Sequence, residues 1–306
     1  MGDAEPQRVG TAAAIVRQQG QHRHNPAEGG WPPVTRGRLV SDLRKLGVKR
    51  GQTLLVNASL SNIGWVEGGA RVVVEALRDA VGRDEGTVVV PAGTEENSNF
   101  SRAHRDATAG MTLDELRAYR NLMPAFDKHT TPSGMGAIAE ALRTSDGAVR
   151  SDHPQSSFAA IGPEAELLMA DHRLESHLGE SSPLAKLYER HAQVLLLGVG
   201  YECCTAMHLA EYRYTPQPPM QTYTCVVISE GKRGWTGYQD VVLDDNNFDE
   251  IGKSLAEKLP VREETVGHAE CRLMPMRDTV DFAVEWMAEH RPVSLAPIQV
   301  RNLCKL

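Results

Sequence analysis

Aromatic residues and basic charge are both scarce in this chain of 306 residues. Phe, Trp and Tyr make up only 5% of it, which argues against a platform that stacks nucleic-acid bases. Lys and Arg number 33 against 40 Asp and Glu, so the net charge is −7. A nucleic-acid binder should carry a basic surface, and we therefore expect no nucleic-acid partner. The acidic balance is compatible with a cationic ligand.

Long apolar runs are also lacking. No stretch of about 18 apolar residues occurs, so we expect no membrane span, and the N-terminus lacks the apolar core of a signal peptide. No Cys-x-x-Cys pair occurs, and the five cysteines do not suit a disulfide framework, since two of them are adjacent: Cys203, Cys204, Cys225, Cys271 and Cys304. The sequence therefore predicts a cytoplasmic protein with reduced cysteines.

Three short, continuously apolar segments predict buried strands at Thr53–Ala58, Thr87–Pro91 and Gln193–Leu197. A helix capped by Thr35 and ended by Gly47 precedes the first strand, and a second helical pattern at Val72–Val81 lies between the first and second strands. Strands that alternate with helices indicate an α/β fold, with a mostly parallel central sheet flanked by helices. Residues 1–33 are polar and are expected to form a flexible tail.

Two further segments are expected near the end of the sheet. Residues 95–133 are polar and contain a helical piece at Leu113–Leu122, so they form either an insertion that covers a site or a loose loop. Tyr223–Ser229 and Trp235–Leu243 predict a β-hairpin. The later pattern predicts amphipathic helices at Asp249–Lys258 and Thr279–His290, with a strand at Ala269–Met274 between them.

The segment after the third strand contains the most informative chemistry. Gly198-Val199-Gly200 turns the chain into a helix for which Thr205 is the expected N-cap, and His208 and Glu211 are then three residues apart on one face. Ligands bind at the carboxyl ends of parallel strands, and a histidine oriented by a carboxylate is a natural general base. Three alternatives remain open: a surface His–Glu pair, a nucleophilic Cys204 activated by His208, and a metal site that includes Cys203.

Two other segments carry weaker signals. Asn57 to Gly69 runs from a strand through Ser59, Ser61 and Gly64 into a helix, which predicts either an anion-binding loop or an ordinary turn; no Walker motif follows it. Arg150 to Pro163 combines an arginine, a histidine and several hydroxyl groups, and is uninformative alone.

Together these segments resemble the aminoglycoside 3-N-acetyltransferase family. The resemblance rests on the order and spacing of five segments and covers roughly residues 35–290: Ser59–Gly69, Arg150–Pro163, Gly179–Leu187, Leu195–Tyr212 and Val266–Ala269. It implies a single α/β domain at 34–291 with an extension at 292–306, and a fold unlike that of the common acetyltransferases. It also implies transfer of acetyl from acetyl-CoA to the 3-amino group of the 2-deoxystreptamine ring of aminoglycosides, which confers resistance to them.

The resemblance also implies roles for particular residues. The catalytic histidine of the family corresponds to His208, and Glu202 stands where the family usually has Asp. An acidic position in the hairpin falls on Gln239 or Asp240, and Asn57 stands where the family often has histidine. We expect His208 to accept a proton from the attacking amine, with either Glu211 or Glu202 holding its tautomer.

The remaining expectations concern ligands. The Ser59–Gly69 loop and the 156–158 segment would hold pantetheine and phosphates, and the Val266-Gly267 amides would stabilise the oxyanion. The cofactor-binding residues are therefore Ser59, Leu60, Ser61, Gly64, Gly68, Gly69, Ser156, Ser157, Phe158 and Gly267. Glu95 and Asp240 would bind the cationic substrate. No metal is expected, and a homodimer is left open. The alternatives are a same-fold acyltransferase for another small amine and a non-catalytic CoA- or anion-binding protein.

Overall fold

A computed structural model describes residues 32–94, 97–99 and 101–291, with only the backbone described at positions 102 and 103. The compact unit begins at Val34. The predictions for residues 1–31, for Glu95 and for the 292–306 extension lie outside the described residues. Among the described helices, none is long and apolar enough to cross a bilayer.

A seven-stranded sheet forms the centre of the fold, in the order β3-β4-β2-β1-β5-β9-β8. β1 pairs in parallel with both β2 and β5, whereas the four flanking strands run antiparallel to their neighbours. The α/β prediction is confirmed, and parallel pairing is confined to the three central strands. The strands are β1 (Thr53–Ala58), β2 (Thr87–Pro91), β3 (Val149–Arg150), β4 (Phe158–Ile161), β5 (Gln193–Leu197), β8 (Arg262–Val266) and β9 (Ala269–Pro275).

Helices cover both faces of this sheet. α1 (Arg36–Leu46), α2 (Leu60–Ile63), α3 (Gly69–Val81) and α6 (Ala137–Arg143) pack against one face. On the other face, α7 (Ala165–Met169), α8 (Pro183–Glu189), α10 (Phe248–Lys258) and α11 (Met276–His290) contribute to the core. Leu54 and Val56 of β1 belong to the first core, and Leu55 belongs to the second. Because both faces are buried, the central strands are continuously apolar.

The signals at both ends of α1 act as expected. The Thr35 hydroxyl accepts a hydrogen bond from the backbone N–H of Arg38 at 3.3 Å, which caps the first turn. Gly47 has φ +111° and donates its N–H to the carbonyls of Leu43 and Arg44. Glycine adopts this left-handed conformation at little cost, so the helix ends here.

The hairpin consists of β6 (Met220–Ser229) and β7 (Lys232–Val241), which form a separate two-stranded sheet. It packs against the insertion, whose helices are α4 (Arg102–Thr108) and α5 (Leu113–Leu122). The Asn97 side chain bonds both the N–H and the carbonyl of Val226 at 2.9 Å, and the Phe126 N–H donates to the same carbonyl. The predicted hairpin and the predicted helix in the insertion are both present, and the Arg233 guanidinium of β7 donates to the Arg120 carbonyl of α5 at 2.7 Å.

Candidate active site

A groove of about 890 Å³ opens where β1 and β5 end. The parallel register sets Ala58 beside Leu197, so the segments that follow the two strands emerge side by side. The groove is lined by Ala58–Asn62, by Met135, Gly136 and Ala137 at the start of α6, by Gly198, Val199, Gly200, Glu202 and Cys203, and by His268, Ala269, Glu270 and Arg272.

Hydrogen bonds join the two turns at the floor of this groove. The Asn62 side-chain amide donates to the Gly198 carbonyl at 2.7 Å, and the Ser59 N–H donates to the Leu197 carbonyl at 3.0 Å. Gly198 has φ +72°, and a Cβ there would lie 3.0 Å from the Cβ of Ala269 and 3.1 Å from that of Asn62. Backbone conformation and close packing therefore both require glycine at Gly198.

The prediction that Thr205 caps a helix is wrong. The chain instead passes through two 3₁₀ turns, Tyr201–Cys203 and Thr205–Met207, into the four-residue α9 (His208–Glu211). No side chain caps either 3₁₀ turn or α9. The Thr205 hydroxyl accepts a hydrogen bond from the Asn57 amide at 2.7 Å, which ties this segment to the end of β1.

His208 and Glu211 form a buried pair. Nδ1 of His208 lies 2.7 Å from a carboxylate oxygen of Glu211, and the two residues are 7% and 1% exposed. The alternative of a surface ion pair is therefore wrong. The Phe248 ring packs 4.7 Å from the imidazole, between ring centroids.

The partners of Glu211 determine the tautomer of His208. Oε1 of Glu211 accepts from the Asp244 N–H and from the Arg291 guanidinium, each at 2.8 Å, which leaves Oε2 for the imidazole. A carboxylate only accepts, so neutral His208 must carry its proton on Nδ1. Nε2 then keeps a lone pair and can accept a proton.

Glu202 occupies a different position from Glu211. Its carboxylate accepts from the Gly200 N–H at 3.2 Å and lines the groove. Of the two acids that the sequence offers as partners of His208, Glu211 makes the contact.

Asp245 is a further acid that interacts electrostatically with His208. Burial raises the pKa of its carboxyl group to about 6, although the charge of His208 acts in the opposite direction. When its carboxyl group is unprotonated, Asp245 therefore contributes a negative charge beside the imidazole. A bound cation would stabilise that negative charge.

Asp240 has an internal role and does not line the groove. It is 1% exposed, and its carboxylate accepts from the N–H groups of His177 and Val241 and from the Tyr212 hydroxyl. Burial raises its pKa to about 6. The β7 alternation directs Gln239 outward, where it bonds Thr222 at 2.5 Å. The expected substrate contact of Asp240 therefore does not fit its geometry.

The residues expected to hold CoA divide into two sets. Ser59, Leu60 and Ser61 line the groove, with 3.0 Å between the two serine hydroxyls. Four glycines that were expected to bind CoA are not among the lining residues: Gly64, Gly68, Gly69 and Gly267. Gly64 instead allows close packing, since a Cβ there would lie 2.6 Å from the His268 ring.

The expected oxyanion role of Gly267 does not fit the structure. Its N–H donates to Asp42 at 3.2 Å, and its carbonyl accepts from Arg38 at 2.6 Å. Val266 pairs with Ala269 within the sheet. These groups stabilise the β8–β9 turn.

The 156–158 segment is likewise engaged inside the molecule. The Ser157 hydroxyl donates to the Ala92 carbonyl at 2.8 Å, and Phe158 is 1% exposed in β4. Ser156 bonds the His177 carbonyl at 3.0 Å. These three side chains support the core, and none of them lines the groove.

Two side chains that line the groove were not identified as site residues from the sequence. His268 and Arg272 line the side formed by β9, where the Arg272 guanidinium lies 5.0 Å above the Tyr201 ring and 2.8 Å from Glu263. They are 70 and 74 residues from Gly198 in the chain, so no local motif connects them to it. The period-2 alternation of β9 is the signal that could have identified Glu270 and Arg272 as one face.

Cys204 is buried and is not prepared to act as a nucleophile. It is fully buried, and burial raises the pKa of its thiol to about 12. A thiol in that state contains almost no thiolate at neutral pH. We expect Cys204→Ala to keep turnover within about threefold of the wild type, because general-base catalysis does not require the sulfur. Steady-state acetyl-transfer kinetics test this, and loss of all activity in a folded variant would restore the covalent alternative.

Three buried histidines, His153, His172 and His177, pack together beside the site, with 4.7 Å between the ring centroids of His153 and each of the others. Desolvation by burial lowers the pKa of all three, to about 4 for His172 and about 3 for His177. Each ring is therefore neutral in the folded protein near pH 7.

The buried state of His172 predicts a measurable acid sensitivity. Below about pH 6.5 the unfolded chain binds a proton at His172 that the folded protein does not, so stability falls as the pH falls and stops falling near pH 4. Between pH 7 and pH 5 the protonation of this one group in the unfolded chain should lower the free energy of unfolding by about 2 kcal/mol. In His172→Gln the amide can bond Ser151 and the His177 carbonyl but does not titrate. The free energy of unfolding of this variant should therefore fall by correspondingly less than that of wild type over the same pH range.

Urea unfolding at the two pH values measures this difference. The comparison with wild type separates His172 from the buried aspartates, whose raised pKa values act in the opposite direction. Exposed His129→Gln is the matched control and should behave as wild type. An equal loss in wild type and His172→Gln would contradict the prediction.

Comparison with known proteins gives a consistent result. Residues 55–288 match the family model for aminoglycoside 3-N-acetyltransferase. An aminoglycoside N(3')-acetyltransferase-like protein, YokD, of Bacillus subtilis is 40% identical over 83% of this chain and 92% of its own length. Aminoglycoside N(3)-acetyltransferase VII of Streptomyces paromomycinus is 36% identical over 84% of this chain and 92% of its own.

Solved structures agree with the sequence comparisons. The YokD crystal structure superposes with a TM-score of 0.80 at 38% identity, covering 85% of this chain and 95% of YokD. The structure of AAC-IIIb in its binary complex with CoASH superposes with a TM-score of 0.73 at 28% identity, covering 84% of this chain and 97% of AAC-IIIb. The structure of AAC-VIa bound to sisomicin superposes with a TM-score of 0.72 at 30% identity, covering 85% of this chain and 100% of AAC-VIa. The chain therefore belongs to the aminoglycoside 3-N-acetyltransferase family of enzymes, as its motifs predict.

Proposed function

We propose that this protein transfers acetyl from acetyl-CoA to the 3-amino group of the 2-deoxystreptamine ring of aminoglycosides, which would confer resistance to them. The observation that carries the proposal is the buried His208–Glu211 pair, in which the contact of Nδ1 with Glu211 makes Nε2 the nitrogen that would accept a proton. The pair is not among the residues that line the groove. The similar proteins solved with CoASH and with sisomicin support the two ligand classes.

In this reaction His208 acts as the general base. As the nitrogen attacks the thioester carbonyl, Nε2 takes the proton from the attacking amine, and the imidazolium is stabilised by Glu211 through Nδ1–H. The C–N bond forms and the C–S bond then breaks, so that CoA leaves as its thiolate. Because thiolate is a good leaving group, direct attack needs no acetylated enzyme.

Acetyl-CoA fits the groove at the ends of β1 and β5. Ser59, Leu60 and Ser61 line this groove together with the imidazole of His268 and the positively charged guanidinium of Arg272. Phosphates are attracted to such groups. Glu202 lies in the same groove and would interact with a cationic substrate approaching the thioester.

Negative charge supports the choice of a polycationic substrate. The chain has a net charge of −7, and Asp245 adds a carboxylate beside His208. Such a field concentrates a polycation at the site and steers its approach. Glu95 remains a candidate substrate contact from the sequence alone.

One observation favours a second candidate, an acyltransferase for a different small amine. Gln239, one of the two positions where the family resemblance expects a hairpin acid, is neutral and exposed, and Asp240 is buried. A missing acid would weaken binding of a large polycation. The substrate could then be a smaller amine from a biosynthetic pathway.

An acetyl-CoA turnover screen tests the proposal. Gentamicin-, neomycin- and apramycin-type substrates would be compared with simple diamines, and each product mapped by NMR. We expect acetylation on the 3-amino nitrogen of at least one aminoglycoside. Turnover of small amines alone would favour the second candidate, and tight CoA binding without turnover of any amine would contradict both.

A further inference from the structure

Arg291, the residue that ends α11, reaches the His208–Glu211 pair from 80 residues away. Its guanidinium donates to Oε1 of Glu211 at 2.8 Å and to the carbonyl of Asp244 at 2.6 Å. The side chain is only 13% exposed and that of Glu211 is 1% exposed. This is the paired, hydrogen-bonded arrangement that a buried carboxylate requires.

The second contact of Arg291 closes a small ring of interactions. The Asp244 N–H donates to Glu211 at 2.8 Å, while its carbonyl accepts from Arg291. One oxygen of Glu211 is thereby fixed by two donors, and the other is directed at His208. The α11 terminus and the 244–246 segment are both attached to the carboxylate through these bonds.

We propose that Arg291 is a positioning residue for acetyl transfer: it acts through Glu211, holding the carboxylate directed at Nδ1 of His208 and offsetting part of its charge; this inference rests on the proposed function. The guanidinium holds the carboxylate in its accepting form and offsets part of its negative charge. Without that offset, Glu211 would stabilise the imidazolium more strongly, and His208 would be protonated at higher pH.

The other charged groups around His208 have opposing effects. Asp245 interacts electrostatically with His208 and favours the imidazolium, and Asp244 adds a carboxylate next to Asp245 in the chain. His177 is neutral and buried near it. Arg291 is thus the cation, among the described contacts of the pair, that counteracts these carboxylates.

Arg291→Gln and Arg291→Lys separate charge from shape, and Arg277→Gln is the matched control. Arg277 is on the same helix and bonds the Tyr188 carbonyl, away from the pair. NMR titration of the His208 ring, assigned with His208→Gln, reports the protonation equilibrium without requiring turnover. Steady-state kinetics report kcat and the KM for acetyl-CoA separately.

For Arg291→Gln we expect the His208 pKa to rise by about one unit, as for loss of a nearby charge. At pH 7 kcat should fall severalfold, by about tenfold at most, because a smaller fraction of His208 is then unprotonated and able to accept a proton, with KM for acetyl-CoA within about twofold. Arg291→Lys keeps the charge and should titrate close to wild type. Arg277→Gln should match wild type in both measurements.

An unchanged His208 titration in folded Arg291→Gln would overturn the inference, as would an equal shift in Arg291→Lys. If Arg291→Gln does not fold, Arg291→Met keeps the apolar stem and should show the same shift. A shifted titration in an enzyme that acetylates no amine would contradict the proposed function and leave the effect of Arg291 on His208 established.

Discussion

His208→Ala is expected to lower kcat at least about 100-fold, the usual contribution of a positioned general base. The expectation follows from the contact at 2.7 Å between Nδ1 and Glu211, which leaves Nε2 as the acceptor of the amine proton. Alanine removes that acceptor. His208 is also absent from the residues that line the groove, so acetyl-CoA affinity should change little.

The expected pattern is therefore a loss in kcat with a nearly constant dissociation constant for CoA, measured by thiol release and by calorimetry. His129→Ala, an exposed histidine in the insertion, is the matched control and should retain full activity. Near-normal turnover in His208→Ala would remove the mechanism. A parallel collapse of CoA binding would indicate a structural role instead.

Gly252→Ala should produce the largest change in stability. Gly252 lies within α10, where alanine is ordinarily better than glycine by about 1 kcal/mol. An added Cβ here would overlap the Tyr201 ring, which packs directly on the helix. The helix or the 3₁₀ turn must shift, and we expect a net loss of about 3 kcal/mol or more, at the upper end for overpacking.

Gly37→Ala is the matched control, because Gly37 lies within α1 and has no neighbouring atom within 4 Å of an added Cβ. It should be neutral or gain up to about 1 kcal/mol. Urea unfolding of both variants measures the contrast. Gly252→Ala with wild-type stability would contradict the close packing that fixes Tyr201 beside Glu202 and Cys203.

Local signals in the sequence account for much of the framework. The apolar run at Thr53–Ala58 predicts β1, and the caps at Thr35 and Gly47 predict the bounds of α1, because these patterns depend only on neighbouring residues. β4 is missed, since four apolar residues after a polar Ser-Ser pair carry too weak a strand signal. The family resemblance assigns Phe158 to a CoA-binding segment, whereas β4 buries it in the core.

The site is less predictable because its contacts are long-range. The spacing of His208 and Glu211 is local and indicates the pair, but the choice between Glu211 and Glu202 needs the fold. Thr205 bonds Asn57 across 148 residues, and Arg291 reaches Glu211 across 80. No periodicity or motif encodes such pairings, so capping rules assign Thr205 the wrong role.

The role of His208 is tested most directly by the pH dependence of kcat at saturating acetyl-CoA and aminoglycoside, in wild type and in His208→Gln. In the wild type, kcat should fall about tenfold per pH unit once the imidazole is protonated, the behaviour of a single essential base. The residual rate of His208→Gln should lack this acidic limb. If His208→Gln shows the same acidic limb in the pH dependence of kcat, or turns over at the wild-type rate, proton transfer to His208 is contradicted.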